Sequence, residues 1–536
     1  MTPWMGRMPL RRYRMIGGLV GGVCALALAA AAPAGAATWL QAGQDGANTR
    51  SQPSETAITV ANAGTLAPRW TFTTGGDISA TPAVDGTMVY VPDWAGNLFA
   101  VDKRSGTQAW SRKIADYTGV GGDVARTTPA VAGNRLIFGD QGGRVFAGAR
   151  VMAVSKQTGE RLWVTKVDDH FSAIVTTSVG MSPDNKVAYV GVASFEEALS
   201  AFIPNYVCCS FRGSVLALDA NTGAILWKTY IVPPGFSGGA VWGSTPVIDA
   251  KRGSLFFGTG NNYSVTPEVA QCVTDAAGDP EQSKACNPPN NYFDSVMSLD
   301  AKTGAVKWAS FALPFDAWNL TCVEGFGDPA NCPEPSGPDY DFGQGPSLFT
   351  VGAKSNRHDV LGIGQKSGKY WTFDPDTGQT LWVTDVGPGG LTGGLQWGAA
   401  TDGQRIYAQD SNSLHVPWQL VQNGVPTGPT VTSGFWSALD PATGKILWQT
   451  PNPSGGETPG AVSVANGVVF GCSLDVQGHM YALSAATGAV LKDFVSGGAC
   501  AAGASIADGT VFWGSGYAAA FGLTPNDKLY ALSPQP

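Results

Sequence analysis

The sequence predicts an all-β fold, a single eight-bladed propeller spanning residues 37–536, on three observations. A hairpin pattern recurs along the chain: "LFAVDKRSGTQAW" (98–110), "VMAVSKQTGERLW" (151–163), "VLALDANTGAILW" (215–227), "VMSLDAKTGAVKW" (296–308), "YWTFDPDTGQTLW" (370–382), "WSALDPATGKILW" (436–448) and "MYALSAATGAVLK" (480–492). Copies lie roughly 45 to 80 residues apart, room for two further strands per unit, and four strands at such a period make a propeller blade. An eighth copy, "LYALSP" (529–534), stops short of its Trp strand, whereas "LAPRWTF" (66–72) is a Trp strand without its partner. Joining the two closes the ring and removes the open sheet edges.

Within each copy the alternating apolar residues make a strand, and Thr-Gly or Ser-Gly makes a turn whose Gly takes a positive φ. A second strand then ends in Trp. The additional strands are visible in "TPAVDGTMVYVPD", "TPAVAGNRLIFGD", "STPVIDAKRGSLFFGTG" and "VSVANGVVFGC". Only 14% of residues are charged and 71 are Gly, which suits short strands and tight turns better than helices. The repeat tryptophans 110, 163, 227, 308, 382 and 448 are expected to be structural packing residues.

Ahead of the propeller, Arg7, Arg11, Arg12 and Arg14 precede an apolar run from Met15 to Ala32 and the small-residue stretch "APAGAATW". These are the three regions of a secretory signal, expected to be cleaved after Ala36, with the arginine pair a weak hint of twin-arginine export. The mature protein is then expected to be periplasmic or secreted, with no membrane span. The chain carries 33 basic against 41 acidic residues, a balance of −8 that loss of the four leader arginines deepens, so nucleic acid is not an expected partner. Eight cysteines remain after Cys24 leaves with the leader, an even number in an oxidising compartment. Neighbours in sequence suggest the pairs 208–209, 272–286, 322–332 and 472–500, among about 105 pairings that eight cysteines allow. Cys208 and Cys209 are adjacent. They bond to one another, to different partners, or hold a metal, and the four scattered histidines and absence of CxxC argue against the metal.

Four insertions break the repeat, at 192–214, 261–295, 315–347 and 388–435, and they hold most residues with chemistry to offer. Long loops on a rigid β scaffold are where sites are built.

The Trp-terminated blades, "GANTRSQPSETAITVANAGTLAPRWTF", "GGAVWGSTPVIDAKRGSLFFGTGNN" and "DYDFGQGPSL" together resemble the eight-bladed quinoprotein alcohol dehydrogenases, which bind pyrroloquinoline quinone (PQQ) and calcium. "CCSFRGSVLALDANTG" and the cysteine-bearing loop before "DYDFG" are most similar to the polyvinyl alcohol dehydrogenases of that family. The resemblance implies that Cys208 and Cys209 form a vicinal disulfide walling one face of the quinone, with Trp242 on the other. It implies a calcium site of Glu196, Asn261 and Asp339, with Asp341 a further carboxylate of the kind lanthanide-using relatives carry, and Glu197 adjacent to Glu196. Calcium favours such a set of hard oxygen donors.

By the same resemblance Asp339 is the base that takes the alcohol proton while hydride passes to the quinone, with Asp341 and then Asp316 as alternatives. The family's compact DxWD arrangement is interrupted here, since "FDAWN" supplies Asp316 and Trp318 and a cysteine loop precedes "DYD". Lys366 is the implied cation against the quinone oxygens. Arg212, Arg126, Thr127, Thr245, Gln396, Trp397, Gly497 and Gly498 fall in cofactor-facing segments. Trp318, Trp397 and Trp418, outside the repeat rhythm, are candidates to line a substrate groove. No CxxCH occurs, so no haem c site is expected, and electrons are expected to leave to an external acceptor, a cytochrome c. The expected reaction is oxidation of secondary alcohol groups, those of polyvinyl alcohol included. The competing reading is a cofactor-free propeller scaffold of the outer-membrane assembly lipoprotein type, which shares the repeat but has no need of the acidic set; no lipobox precedes Cys24.

Overall fold

The turn of the repeated hairpin carries the architecture. In the first copy Asp102 Oδ1 accepts the backbone N–H groups of Arg104 (3.0 Å) and Ser105 (2.7 Å), and Gly106 N–H closes onto Asp102 O. Gly106 sits at φ 72°, and the strand pairing shifts register beside it between Ala100 and Val101, a bulge built on a left-handed glycine. Asp219, Asp300, Asp374 and Asp440 cap their turns in the same way.

The computed structural model describes residues 36–142, 146–243, 245–518 and 522–536; the expected signal at 1–36 lies outside them, Ala36 apart. Seven four-stranded antiparallel sheets and an eighth with one additional short strand, Ala173–Ile174, form the eight blades. The first consists of Ala83–Val84, Met88–Pro92, Asn97–Asp102 and Gln108–Lys113, paired in chain order. The last joins both ends of the chain: Leu66–Thr73 pairs with Lys528–Pro534, from Leu66 opposite Pro534 to Thr73 opposite Lys528. The protein is an eight-bladed β-propeller. Ring closure puts the two half-repeats in one sheet, where Lys528–Pro534 lies inside and Leu66–Thr73 is the outer strand.

The repeat Trp works between blades. Trp70 Nε1 donates to Lys103 O of the next turn, Trp110 to Lys156 O, Trp163 to Ala220 O, Trp227 to Ala301 O, Trp308 to Pro375 O and Trp448 to Ala485 O, all at 3.1–3.2 Å. The ring lies against that turn's glycine so closely that a Cβ on Gly106 would stand 2.7 Å from Trp70, and one on Gly488 2.6 Å from Trp448. The conserved spacing within each repeat thus serves contacts between neighbouring repeats.

The insertions rise from this ring. The first carries the helix Glu196–Phe202. The second holds helices Pro267–Asp275 and Pro280–Ala285, bridged by Cys272–Cys286. The third, closed by Cys322–Cys332, packs against the first, where Phe202 meets Phe326. Cys472–Cys500 ties one blade to the approach to the next, and Cys208 is bonded to Cys209, so all four pairs are those of sequence neighbours. Among the described residues no helix is long and apolar enough to cross a membrane.

Candidate active site

The loop 338–342 brings two carboxylates to one place. Asp316 holds that loop: its carboxylate accepts the backbone N–H of Asp339 (3.2 Å) and of Tyr340 (2.8 Å), and it is fully buried. Burial pushes Asp316 up to about 6, and behind it burial and the charges of Asp316 and Asp341 push Asp294 well above the carboxylate range. Both oxygens of Asp316 therefore face backbone, and the proton-accepting role expected third for it falls to a loop-shaping one.

Asp339, at φ 61° and 2% exposed, accepts Lys366 Nζ on Oδ2 (2.7 Å), while its Oδ1 is buried without a hydrogen-bond partner. Asp341 accepts Asn261 N on Oδ1 (2.7 Å) and Trp242 Nε1 on Oδ2 (2.7 Å), with Lys366 Nζ 3.7 Å from Oδ2. Asn261 gives its Nδ2 hydrogens to Trp318 O and Asn262 O, which leaves its Oδ1 buried and unpartnered. Burial pulls the Lys366 ammonium down, but Asp339, Asp341 and Glu197 outweigh it and hold its pKa above the ordinary lysine value.

Glu196 and Glu197 open the helix Glu196–Phe202, and the helix phase sends them opposite ways. Glu196, fully buried, accepts Tyr206 Oη (2.5 Å), Ser210 N (2.8 Å), Ser210 Oγ (3.2 Å) and Phe211 N (2.7 Å). Those donors all belong to the loop that bears Cys208 and Cys209, so Glu196 is a clasp for that loop and its oxygens are spent. The cavity therefore receives Glu197 and not Glu196, the residue expected there as a ligand. Glu197 opens on the cavity with Asp339, Asp341 and Lys366. Burial first, then the charge of Asp341, push it up to about 8 against the pull of Lys366.

The cavity measures about 390 Å³. Trp242 and Trp397 form an edge-to-face pair across it, ring centroids 5.3 Å apart, and the Arg126 guanidinium lies 4.4 Å above the Trp397 ring. Gln396 and Trp318 also line it, with an apolar side of Ile174, Phe195, Leu320 and Leu391.

Several expected residues are not brought there. Cys208 and Cys209 do not line the cavity: Cys208 N–H donates to Asn331 Oδ1 of the 322–332 loop, and Asn331 Nδ2 donates to Tyr206 O, which fixes the pair against that loop. The vicinal disulfide forms as expected, and Cys209 and Trp242 both pack against the cluster that holds Phe211, Ala240 and Tyr263. Arg212 turns away to Val232 O (2.7 Å) and the Tyr230 ring. Trp418 pairs in the hairpin with Thr430–Val431 and directs Nε1 to Gln449. Gly498 is packed on Pro525 and Asn526 beside an exposed Gly497. Thr127 is buried outside the lining, and Thr245 faces a different chamber on the axis. The sequence reading missed Tyr263, Tyr517, Leu391 and Thr392 as lining residues, none of which stands in a distinctive motif.

Among the described residues no three His, Cys, Asp or Glu side chains form a metal cluster by themselves. The donor set is mixed. Two buried oxygens without partners, Asn261 Oδ1 and Asp339 Oδ1, accompany the Glu197 carboxylate and the charge of Asp341, and one lysine balances only part of that charge. Unsatisfied buried acceptors are costly, so this arrangement fits a hard cation that shares its shell with a ligand's oxygens. The Trp242 face and the cavity size fit a flat aromatic group beside it.

Comparison with known proteins agrees with this chemistry. The family profile described as outer membrane protein assembly factor BamB matches residues 34–202, 146–310 and 366–535, a propeller repeat running through most of the chain. The polyvinylalcohol dehydrogenase of Sphingopyxis sp. (strain 113P3) is 32% identical over 512 residues, covering 86% of this chain and 70% of the relative. That of Pseudomonas sp. is 30% identical over 515 residues, covering 88% and 72%. The crystal structure of the quinohemoprotein alcohol dehydrogenase from Comamonas testosteroni superposes with a TM-score of 0.66 at 19% identity, over 93% of this chain and 80% of that one, which shows the shared fold. The chain belongs to that propeller-repeat family and, within it, to the PQQ-dependent quinoprotein alcohol dehydrogenases, as an oxidoreductase of the polyvinyl alcohol dehydrogenase type.

Proposed function

We propose that the protein oxidises secondary alcohol groups, those of polyvinyl alcohol among them, in the periplasm, with PQQ and calcium (or a lanthanide in its place) held in the 390 Å³ cavity. The observation that carries this reading is the convergence of Glu197, Asp339 and Asp341 on a cavity walled by Trp242, with Asp339 Oδ1 buried and unpartnered and Asn261, whose Oδ1 is likewise unpartnered, hydrogen-bonded to Asp341. Glu197, Asn261 and Asp339 would hold the cation, with Asp341 behind them. Trp242 offers its face to the quinone, and Lys366 and Arg126 offer positive charge to its oxygens. Bound there, the quinone would supply the acceptor for the hydride of the alcohol carbon, which carries both electrons of the oxidation, and the cation would polarise the quinone.

The chain's own work is positioning and proton transfer. Asp339, whose carboxylate Lys366 holds at the edge of the cavity, would take the hydroxyl proton. Lys366 holds Oδ2 at 2.7 Å and fixes the orientation of the base. Trp318, Leu320, Leu391 and Phe195 meet the hydrocarbon part of the substrate and exclude water from the reacting carbon. The residues Asp341 and Trp242 hold one another through a 2.7 Å hydrogen bond, so the floor of the cavity and the acidic loop move as a unit.

Electrons then leave to a separate acceptor, a cytochrome c, whose basic docking face would suit the net acidic chain. The leader at 1–36 supports export. The scaffold reading is disfavoured by the acidic set, since a binding propeller gains nothing from leaving two acceptors buried and unmatched. Dye-linked oxidation by the purified mature protein tests the proposal, comparing polyvinyl alcohol, a small secondary alcohol and methanol, with and without PQQ and Ca²⁺. Turnover requiring both additions is expected, fastest on the secondary alcohols; a folded protein that never binds the quinone would contradict it.

A further inference from the structure

The propeller axis holds a second cavity, of about 60 Å³, separated from the larger one by a shared wall of Arg126, Thr176, Trp397 and Tyr517. Its lining is unusual in its charge. Arg50 and Arg126 line it together with hydroxyls of Thr81, Thr128, Thr176 and Thr245, and no Asp or Glu is among its described lining residues.

Arg50 is 4% exposed. Its Nε donates to Val462 O (2.9 Å), one Nη to Ala42 O (2.9 Å) and the other to Thr81 Oγ1 (2.9 Å). Three of the five guanidinium N–H groups are so placed, all on neutral acceptors. Other cations in shielded positions of this protein have a carboxylate: Lys366 has Asp339 at 2.7 Å, Arg150 has Asp140 at 3.3 Å, and Arg252 has Asp249 at 2.8 Å. Arg50 has no carboxylate within ion-pair distance among the described residues. A buried charge without a counter-charge carries a desolvation cost that neutral hydrogen bonds offset only in part. Burial accordingly pushes the Arg50 guanidinium down to about 10. Close packing of Gly398 and Gly503 on the side chain, where a Cβ would lie 2.9 Å and 2.1 Å from its atoms, leaves it no route to a distant partner.

The surrounding hydroxyls point to the same chemistry. Thr81 Oγ1 accepts from Arg50 and so keeps its own hydrogen to donate, and Thr176 Oγ1 is buried with no partner among the described residues. A chamber of about two water volumes, lined by hydrogen-bond donors and two guanidinium groups, is matched to a small acceptor-only ion more closely than to water, which must also donate.

We propose that this axial chamber is a binding site for a small monovalent inorganic anion, of chloride or bromide size, which neutralises Arg50 and is separate from the cofactor cavity. The occupant joins the N-terminal segment that carries Arg50 to the blades that supply Thr81, Thr128 and Thr245, so its binding stabilises the closed ring.

The test uses the full mature protein with bromide as probe. Crystals grown in sodium bromide are expected to show one anomalous peak in the chamber, in contact with Arg50, both with and without PQQ present. Thermal unfolding in sodium chloride is expected to exceed that in sodium gluconate of equal ionic strength by a saturating shift of about 1–3 °C. That difference is expected to vanish in Thr81→Val, and in Arg50→Met if that variant folds. Absence of a peak, or identical unfolding of the wild-type protein in the two salts, overturns the proposal. A peak that PQQ displaces also overturns it, because the chamber would then belong to the quinone's own carboxylates.

Discussion

Asp339 and the Glu196–Glu197 pair show how much turns on a single side chain. Replacing Glu197 by Gln removes one of the proposed cation ligands, so terbium luminescence titration is expected to show affinity at least about 100-fold weaker, without a large loss of stability. Glu196→Gln acts on the clasp instead. It weakens several charge-assisted hydrogen bonds of the 206–211 loop and is expected to lower stability by about 2–3 kcal/mol, with cation affinity changed less than about tenfold. The opposite ranking would return the ligand role to Glu196. Asp339→Asn keeps the shape of the base and loses its proton affinity, so kcat is expected to fall by about 100- to 10,000-fold while quinone absorbance shows the cofactor still bound. Asp410 lies away from these groups, fully buried with Oδ2 unpartnered, and burial holds its carboxyl well above the usual range. Since the unfolded chain ionises that group near pH ~3.9, the folded state loses stability as pH rises above that value. Denaturant unfolding from pH 4.5 to 8 is expected to show that decline reduced in Asp410→Asn; a parallel decline would remove Asp410 as its source.

At the level of elements, the hairpin repeat is best understood as half of a joint. Trp448 is 3% exposed, donates to Ala485 O and lies on Gly488, whose φ of 74° already favours glycine. Gly488→Ala is expected to cost more than about 2 kcal/mol, part from the backbone and part from the collision with the indole. In a Trp448→Ala background the steric part disappears and about 1 kcal/mol remains, so a double-mutant cycle measures the joint directly. Equal costs in both backgrounds would mean that the contact carries no energy. The strands and turns were legible in sequence because period-two alternation, a turn Asp and a left-handed Gly are local signals. That the repeat Trp is a packing residue was legible too, but its hydrogen bond to the turn of the next repeat was not, since it joins residues dozens of positions apart. The short insertion helix Glu196–Phe202 was not legible, because seven residues with two adjacent acids carry no phase that says which carboxylate points inward.

Over the whole molecule, closure between 66–73 and 528–534 followed from two half-repeats at opposite ends, and the four disulfides followed from proximity in sequence. The site was only partly legible. Asp339, Asp341, Lys366, Trp242 and Trp397, with Asn261 bonded to Asp341, come together from different blades because loops on one side of the ring converge on the axis, a relation carried by no local pattern. The vicinal disulfide was legible as a bond and not as a position. Adjacent cysteines announce their bond, yet where the loop lies depends on Glu196 and on Asn331, 123 residues from Cys208 in the chain. Arg50 lay in the quoted "GANTRSQPSE" segment, where nothing in the sequence distinguishes an axial guanidinium from a solvated one.

The central claim is that one cavity, between Trp242 and the 339–341 loop, receives the quinone and the cation together. A crystal structure of the mature protein grown with PQQ and Ca²⁺, with La³⁺ exchanged for anomalous contrast, tests it most directly. The account predicts a single ion peak within coordination distance of Glu197, Asn261 Oδ1 and Asp339 Oδ1, and a flat ring against Trp242. An ion bound elsewhere, or a quinone seated away from Trp242 with Asn261 Oδ1 and Asp339 Oδ1 still unpartnered, would contradict it.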